Sequence, residues 1–171
     1  PVEYQLHIIK ISNSFGGVIT DISVDPANPN NVCVVTGGSG GTQVWYTTNG
    51  GSASPSFSSI DGNLPNMPVF GCILEKDPST DVVVIGTEYG VFSATIPTSG
   101  SVSWAPHNEE IGPIPVFDVR QHGFNSFDGN FEALFVVMLL EFQQCDEDTQ
   151  LKIRRQRRAS SSLICCASCL G

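Results

Sequence analysis

The sequence predicts an all-β fold made of β-propeller blades, four-stranded antiparallel sheets too few to complete a ring. Three observations predict it. The chain carries two tandem copies of a strand-and-turn pattern about 50 residues long, the length of a four-stranded blade. Its apolar residues lean towards Val, Ile and Phe, which suit strands. Its 17 Gly and 11 Pro in 171 residues supply the turns that many short strands need.

The repeat emerges when the chain is laid on itself. Ser56-Phe57, followed by Asn63-Leu64-Pro65-Asn66-Met67-Pro68-Val69-Phe70, recurs 47 residues on as Ser103-Trp104, followed by Ile111-Gly112-Pro113-Ile114-Pro115-Val116-Phe117. Asn31-Val32-Cys33-Val34-Val35 matches Asp81-Val82-Val83-Val84-Ile85 at a shift of 50, and Val24-Asp25-Pro26 matches Lys76-Asp77-Pro78 at 52. The shift changes only in turns, where insertions are tolerated.

In chain order, Tyr4 to Ile11 reads as the last strand of a preceding blade. The first full copy, residues 18–68, gives strands at 18–24, 31–36, 42–48 and 55–60, divided by an Asp-Pro turn, a run of glycines and Asn49-Gly50-Gly51. The second copy, 69–115, repeats them at 69–75, 81–86, 90–95 and 101–105. Residues 116–120 begin a third. Residues 1–124 thus form the blade segment, and 125–171 a tail of different character. In that tail the spacing of Phe131, Leu134, Phe135, Met138 and Phe142 predicts an amphipathic helix of about three turns, with Val136-Val137 leaving a strand open. The polar remainder reads as disordered.

The order Ile19-Thr20-Asp21-Ile22-Ser23-Val24-Asp25-Pro26, Thr47-Thr48-Asn49-Gly50-Gly51 and Gly62-Asn63-Leu64-Pro65 resembles the BNR/Asp-box repeats of sortilin-like (VPS10-type) propellers. Such repeats are common in secreted bacterial proteins and occur in some glycoside hydrolases. The resemblance spans residues 17–122 and implies a fold more than a function. The family's Asp box is similar to Ser-x-Asp-x-Gly-x-x-Trp. Thr47, Asn49 and Gly51 stand at its first three positions, Phe57 replaces the Trp, and the second copy keeps Ser93 and Trp104 without an Asp. The resemblance implies a structural turn for these six residues, and core positions for Trp45, Phe57, Phe92 and Trp104.

Catalytic readings fare poorly. A glycosidase needs two carboxylates roughly 5 to 10 Å apart across the sugar. Asp61, Glu75, Glu88, Glu109, Glu110 and Asp118 show no diagnostic pairing, and Asp25 and Asp77 are explained as turn formers. Arg120 is the sole arginine of the blade region, against the arginine triad that a sialidase resemblance would imply. His7, His107 and His122 lack zinc-site spacing. Gly37-Gly38-Ser39-Gly40-Gly41 lacks the Lys-Ser/Thr and helix of a phosphate loop. No catalytic residue, metal ligand or cofactor is therefore predicted.

The net charge of −9 argues against nucleic acid as a partner, because phosphate binding needs clustered Lys and Arg. Arg154, Arg155, Arg157 and Arg158 form a short run better read as solvated. The longest apolar run, Ala133 to Leu140, is too short for a membrane span. Cys33 and Cys72 fall within apolar strands and read as separate buried thiols, while Cys145, Cys165, Cys166 and Cys169 crowd the tail. The chain begins at Pro1 without a basic and apolar leader, as a mature or cut terminus would.

Together these features predict a non-catalytic module, secreted or at the cell surface, that binds a protein or glycan through its blade loops. A piece of a glycoside hydrolase propeller and a structural subunit of an assembly are the alternatives. Two blades leave apolar faces open, so further blades or self-association are expected.

Overall fold

The computed structural model describes residues 15–76, 80–109, 112–123, 133–139 and 163–167, and they contain strands but no helix. Strands β1 (Val18–Val24), β2 (Val32–Gly37), β3 (Val44–Thr47) and β4 (Ser58–Ser59) form one antiparallel sheet in chain order. Strands β5 (Val69–Lys76), β6 (Asp81–Thr87), β7 (Gly90–Thr95) and β8 (Ala105–Pro106) form a second with the same order. The predicted all-β class and both four-stranded sheets are thus present. Among the described residues no ring closes. The strand expected at Tyr4 to Ile11 lies outside the described residues.

Local chemistry fixes the turns. Between β1 and β2, Asp25 Oδ1 accepts the Ala27 amide at 2.7 Å, an Asx turn. Its backbone N–H donates to the Asn31 carbonyl at 3.0 Å. Between β2 and β3, Gly38 and Gly40 take φ of 116° and 98°, a region closed to most side chains.

A shared irregularity sets the repeat register more firmly than residue similarity does. In the first sheet a β-bulge falls between Ile19, opposite Thr36, and Asp21, opposite Val35. In the second it falls between Val69, opposite Thr87, and Gly71, opposite Gly86. With the bulges superposed, Ile19 corresponds to Val69, Ile22 to Cys72, Thr36 to Thr87 and Cys33 to Val84. Strands β2 and β6 therefore match one residue further along than their sequences suggest. That residue matters, since a one-residue slip in a strand exchanges its two faces.

With that register the faces follow one another front to back. Cys33, Val35, Val44 and Tyr46 on the front of the first sheet pack against Cys72, Leu74, Val83 and Ile85 on the back of the second. Ile73, Val84 and Val91 on the front of the second pack against Val116 and Val119, which lead into β9 (Asp118–Gly123). Each fully buried Val or Ile stabilises the stack by roughly 1.5–3 kcal/mol. Polar side chains of β1 close the open edge of β5. Asp21 Oδ2 accepts from Cys72 N at 3.0 Å, Ser23 Oγ from Leu74 N at 2.8 Å, and Thr20 Oγ1 donates to Val69 O at 2.7 Å.

The tail corrects two expectations. The stretch 131–142, expected as a helix, contains strand β10 (Ala133–Leu139), antiparallel to β9. Part of the segment expected as disordered forms β11 (Leu163–Ala167), parallel to β10, giving a three-stranded sheet in the order β11-β10-β9. A short apolar run satisfies helical and extended periodicities alike. The unpaired edge of β9 decides between them, because it offers ladder hydrogen bonds that a helix could not use.

Candidate functional site

A cleft of about 690 Å³ opens between the first two sheets, at the end of the stack where β2 and β6 begin. Ligand pockets span roughly 300–1,000 Å³, so the cleft is large enough for a small ligand or a few sugar units. Its polar centre is Asp81, the first residue of β6. Tyr46 on β3 donates its phenol to Asp81 Oδ2 at 2.5 Å, and Asn31 Nδ2 donates to the same oxygen at 2.7 Å.

Each partner is placed by its strand. Tyr46 lies on the buried front of the first sheet, where alternation from Val44 turns it towards the second. Asn31 closes the loop between β1 and β2, and its amide also reaches Asp25 Oδ2 at 3.3 Å. One amide thus bridges a carboxylate of each sheet. Burial, then the hydrogen bond and charge of Asp81, hold the Tyr46 phenol well above its usual range. The phenol therefore stays protonated and donates at all ordinary pH. Both donors converge on Oδ2, and neither uses Oδ1.

Around this centre the walls are neutral. Thr48, Ser58, Ser59, Thr80, Thr98 and Ser101 contribute hydroxyls, with Ile60, Ile96 and Val102 as apolar lining. Among the described residues no lysine, arginine or histidine lines the cleft. Among the described residues no cluster of His, Cys, Asp and Glu is arranged to hold a metal. Nor, among the described residues, is any helix long and apolar enough to cross a membrane.

The residues of the Asp-box-like turn lie away from this centre, and their contacts are internal. Thr47 Oγ1 donates to Asn49 Oδ1 at 2.6 Å, and the same oxygen accepts from Ser56 N at 2.9 Å. The amide side chain so does what a carboxylate would do at that place, accepting from the far side of the turn. Gly51 N donates to Asn30 Oδ1 at 3.3 Å. Phe57 packs edge-on against Phe15 at 5.2 Å. Trp104 is buried between the sheets and donates Nε1 to Ile60 O at 2.8 Å. Ser93 bonds His107 Nε2 at 2.6 Å. By the strand pairings Ser93 corresponds to Tyr46, while Ala94 takes the place of Thr47.

Sequence reasoning passed over Tyr46, Asn31 and Asp81. Asn31 and Asp81 were legible only as matching residues opening equivalent strands. Asp61, an acidic candidate, turns out to be a cap: its Oδ1 accepts from Gln43 N at 3.1 Å and Val44 N at 2.8 Å. Asp118 is paired with Arg120 at 2.9 Å. Glu110 and Asp77 lie outside the described residues. No family model, no curated protein and no solved structure matches the chain.

Proposed function

We propose that this chain is a non-catalytic, propeller-type binding module, acting outside the cell or at its surface, that takes an uncharged glycan into the cleft beside Asp81. The front-to-back order of the sheets and the repeated bulge support the propeller-type reading. The observation that carries the ligand reading is the lining. A pocket with one carboxylate, already oriented by Tyr46 and Asn31, and walls of Ser and Thr hydroxyls offers donors and acceptors in the alternation a sugar presents. The carboxylate and the net charge of −9 disfavour anionic ligands.

A glycan array followed by calorimetry on the best binder tests this. Thr98→Arg and Ser58→Arg, at cleft-lining positions, should weaken binding tenfold or more, about 1.4 kcal/mol, with unchanged circular dichroism. Retention of no glycan, or binding indifferent to both changes, overturns the glycan reading and leaves a protein ligand as the one to pursue. Steady release of reducing sugar, abolished by Asp81→Asn, would establish the hydrolase alternative instead.

A further inference from the structure

The back of the first sheet carries an apolar strip that its counterpart in the second sheet keeps covered. Ile19, Ile22 and Val24 are 43%, 47% and 49% exposed, whereas Val69, Cys72 and Leu74, at the same places relative to the bulge, are 0%, 4% and 1% exposed beneath the first sheet. Val18 is 76% exposed beside them. Sheet identity does not explain this contrast. The residues are of the same kind, and the difference is that no sheet among the described residues lies over the first set.

The covered case shows what such a neighbour must bring. In the second sheet the incoming strand supplies a carboxylate, Asp21, whose Oδ2 accepts from Cys72 N. The corresponding amide of the first sheet, Ile22 N, bonds instead to the Oδ1 of its own Asp21 at 2.9 Å. Strand β9 holds the matching group. A Cβ on Gly71 would sit 3.1 Å from Val119 N, as the Asp21 side chain sits against Cys72 N, so Asp118 occupies in β9 the place of Gly71 in β5 and Asp21 in β1. Asp118 keeps part of its side chain exposed, and Arg120, bonded to it, brings the cation that offsets two carboxylates meeting.

We propose that β1 of one copy of this chain receives β9 of a second copy, head to tail, with Asp118 of the incoming copy accepting from Ile22 N and its backbone covering Ile22 and Val24. The contact repeats, between molecules, the packing of the first sheet on the second within one molecule. It is heterologous, so it grows into a closed ring or a chain of copies rather than a two-fold dimer. It rests on the repeat register and is independent of the ligand assigned to the cleft.

Sedimentation velocity on the full chain over a rising concentration series tests it. The wild type should gain mass with concentration. Ile22→Lys and Asp118→Lys should each lose association while keeping the native circular dichroism and melting temperature. Ile22→Thr, which keeps a strand-forming residue, should weaken it. An equimolar mixture of the two lysine variants should form a one-to-one dimer, because each retains the surface that the other has lost. A wild type that stays monomeric, a lysine variant that still associates, or a mixture that stays monomeric overturns the proposal. A symmetric β1-to-β1 contact would give the second of these, with Asp118→Lys still associating, and a partner other than this chain would give the first.

Discussion

Tyr46 and Asp81 join the two sheets through one short hydrogen bond, 2.5 Å from phenol to carboxylate, at the centre of the cleft. The bond ties β3 of one sheet to the start of β6 in the next, so it bears on stability as well as on the site. Tyr46→Phe should cost about 1.5–3 kcal/mol in urea unfolding, the range for a hydrogen bond to a charged group. The pH dependence has a definite sign. The folded phenol holds its proton more tightly than the unfolded one, so its contribution is fully present below about pH 10, the ordinary tyrosine value. It is lost progressively as pH rises towards the higher folded value. Unfolding measured from neutral to alkaline pH should show this decline in the wild type and a shallower one in Tyr46→Phe.

Asp61 offers a separate test of capping. One oxygen, Oδ1, accepts both the Gln43 and the Val44 amides at the start of β3. Burial raises the Asp61 carboxyl above its usual range, against the opposing pull of those two amides. An asparagine keeps the accepting oxygen and has no charge to desolvate. Asp61→Asn should therefore leave stability near wild type at neutral pH, while Asp61→Ala, which strips the acceptor from both amides, should cost about 2 kcal/mol. The raised carboxyl stabilises the fold most below its unfolded value near 4. That contribution fades as pH rises through the folded value, so the gap between wild type and Asp61→Asn should shift in the asparagine's favour towards neutral pH.

The strands of both sheets were legible because period and punctuation agree: Val-rich runs are bounded by Asp-Pro, glycines and Asn-Gly. The register of β2 against β6 was not, since Val32 to Val35 and Val82 to Ile85 match equally well at neighbouring shifts. The bulge at Thr20 and Phe70 breaks that tie, and a bulge is a property of pairing that no single strand announces. Likewise Asp81 looked like the first residue of a strand. Its role depends on Tyr46, 35 residues away in sequence, being turned towards it by the packing of one sheet on another. At β10 the sequence favoured a helix and left a strand open at Val136-Val137 for the same kind of reason, the partner edge lying in β9.

Cys33 and Cys72 sit in the same buried cluster on facing strands, and both are free thiols. The hydrogen bond between them, and burial, push the Cys72 thiol well above its usual range. Both side chains are buried, and at Cys72 the reactive thiolate is disfavoured as well, so both should resist iodoacetamide in the folded protein and react only once it is denatured. Peptide mass spectrometry after timed labelling reads this out. Rapid native labelling, or a peptide in which the two are joined by a disulfide, would contradict the buried-thiol assignment.

The packing of β9 on the second sheet depends on Gly86, and a single methyl group tests it. A Cβ there would lie 2.7 Å from the Val116 carbonyl oxygen and 2.9 Å from side-chain carbons of Val116 and Val119. The carbonyl belongs to a backbone that also receives support from Thr87 O through Val116 N at 2.9 Å, so it has little room to withdraw. Gly86→Ala should therefore destabilise by about 1–3 kcal/mol, the cost of overpacking a core. It should also speed proteolysis within residues 112–123, since the loss falls on the contact that holds β9. Gly41 provides the contrast, with no atom within 4 Å of its notional Cβ. Gly41→Ala should leave proteolysis unchanged and raise stability by about 0.4–1 kcal/mol, through the reduced freedom of the unfolded chain. Equal effects at the two positions would mean that β9 does not lie against Gly86.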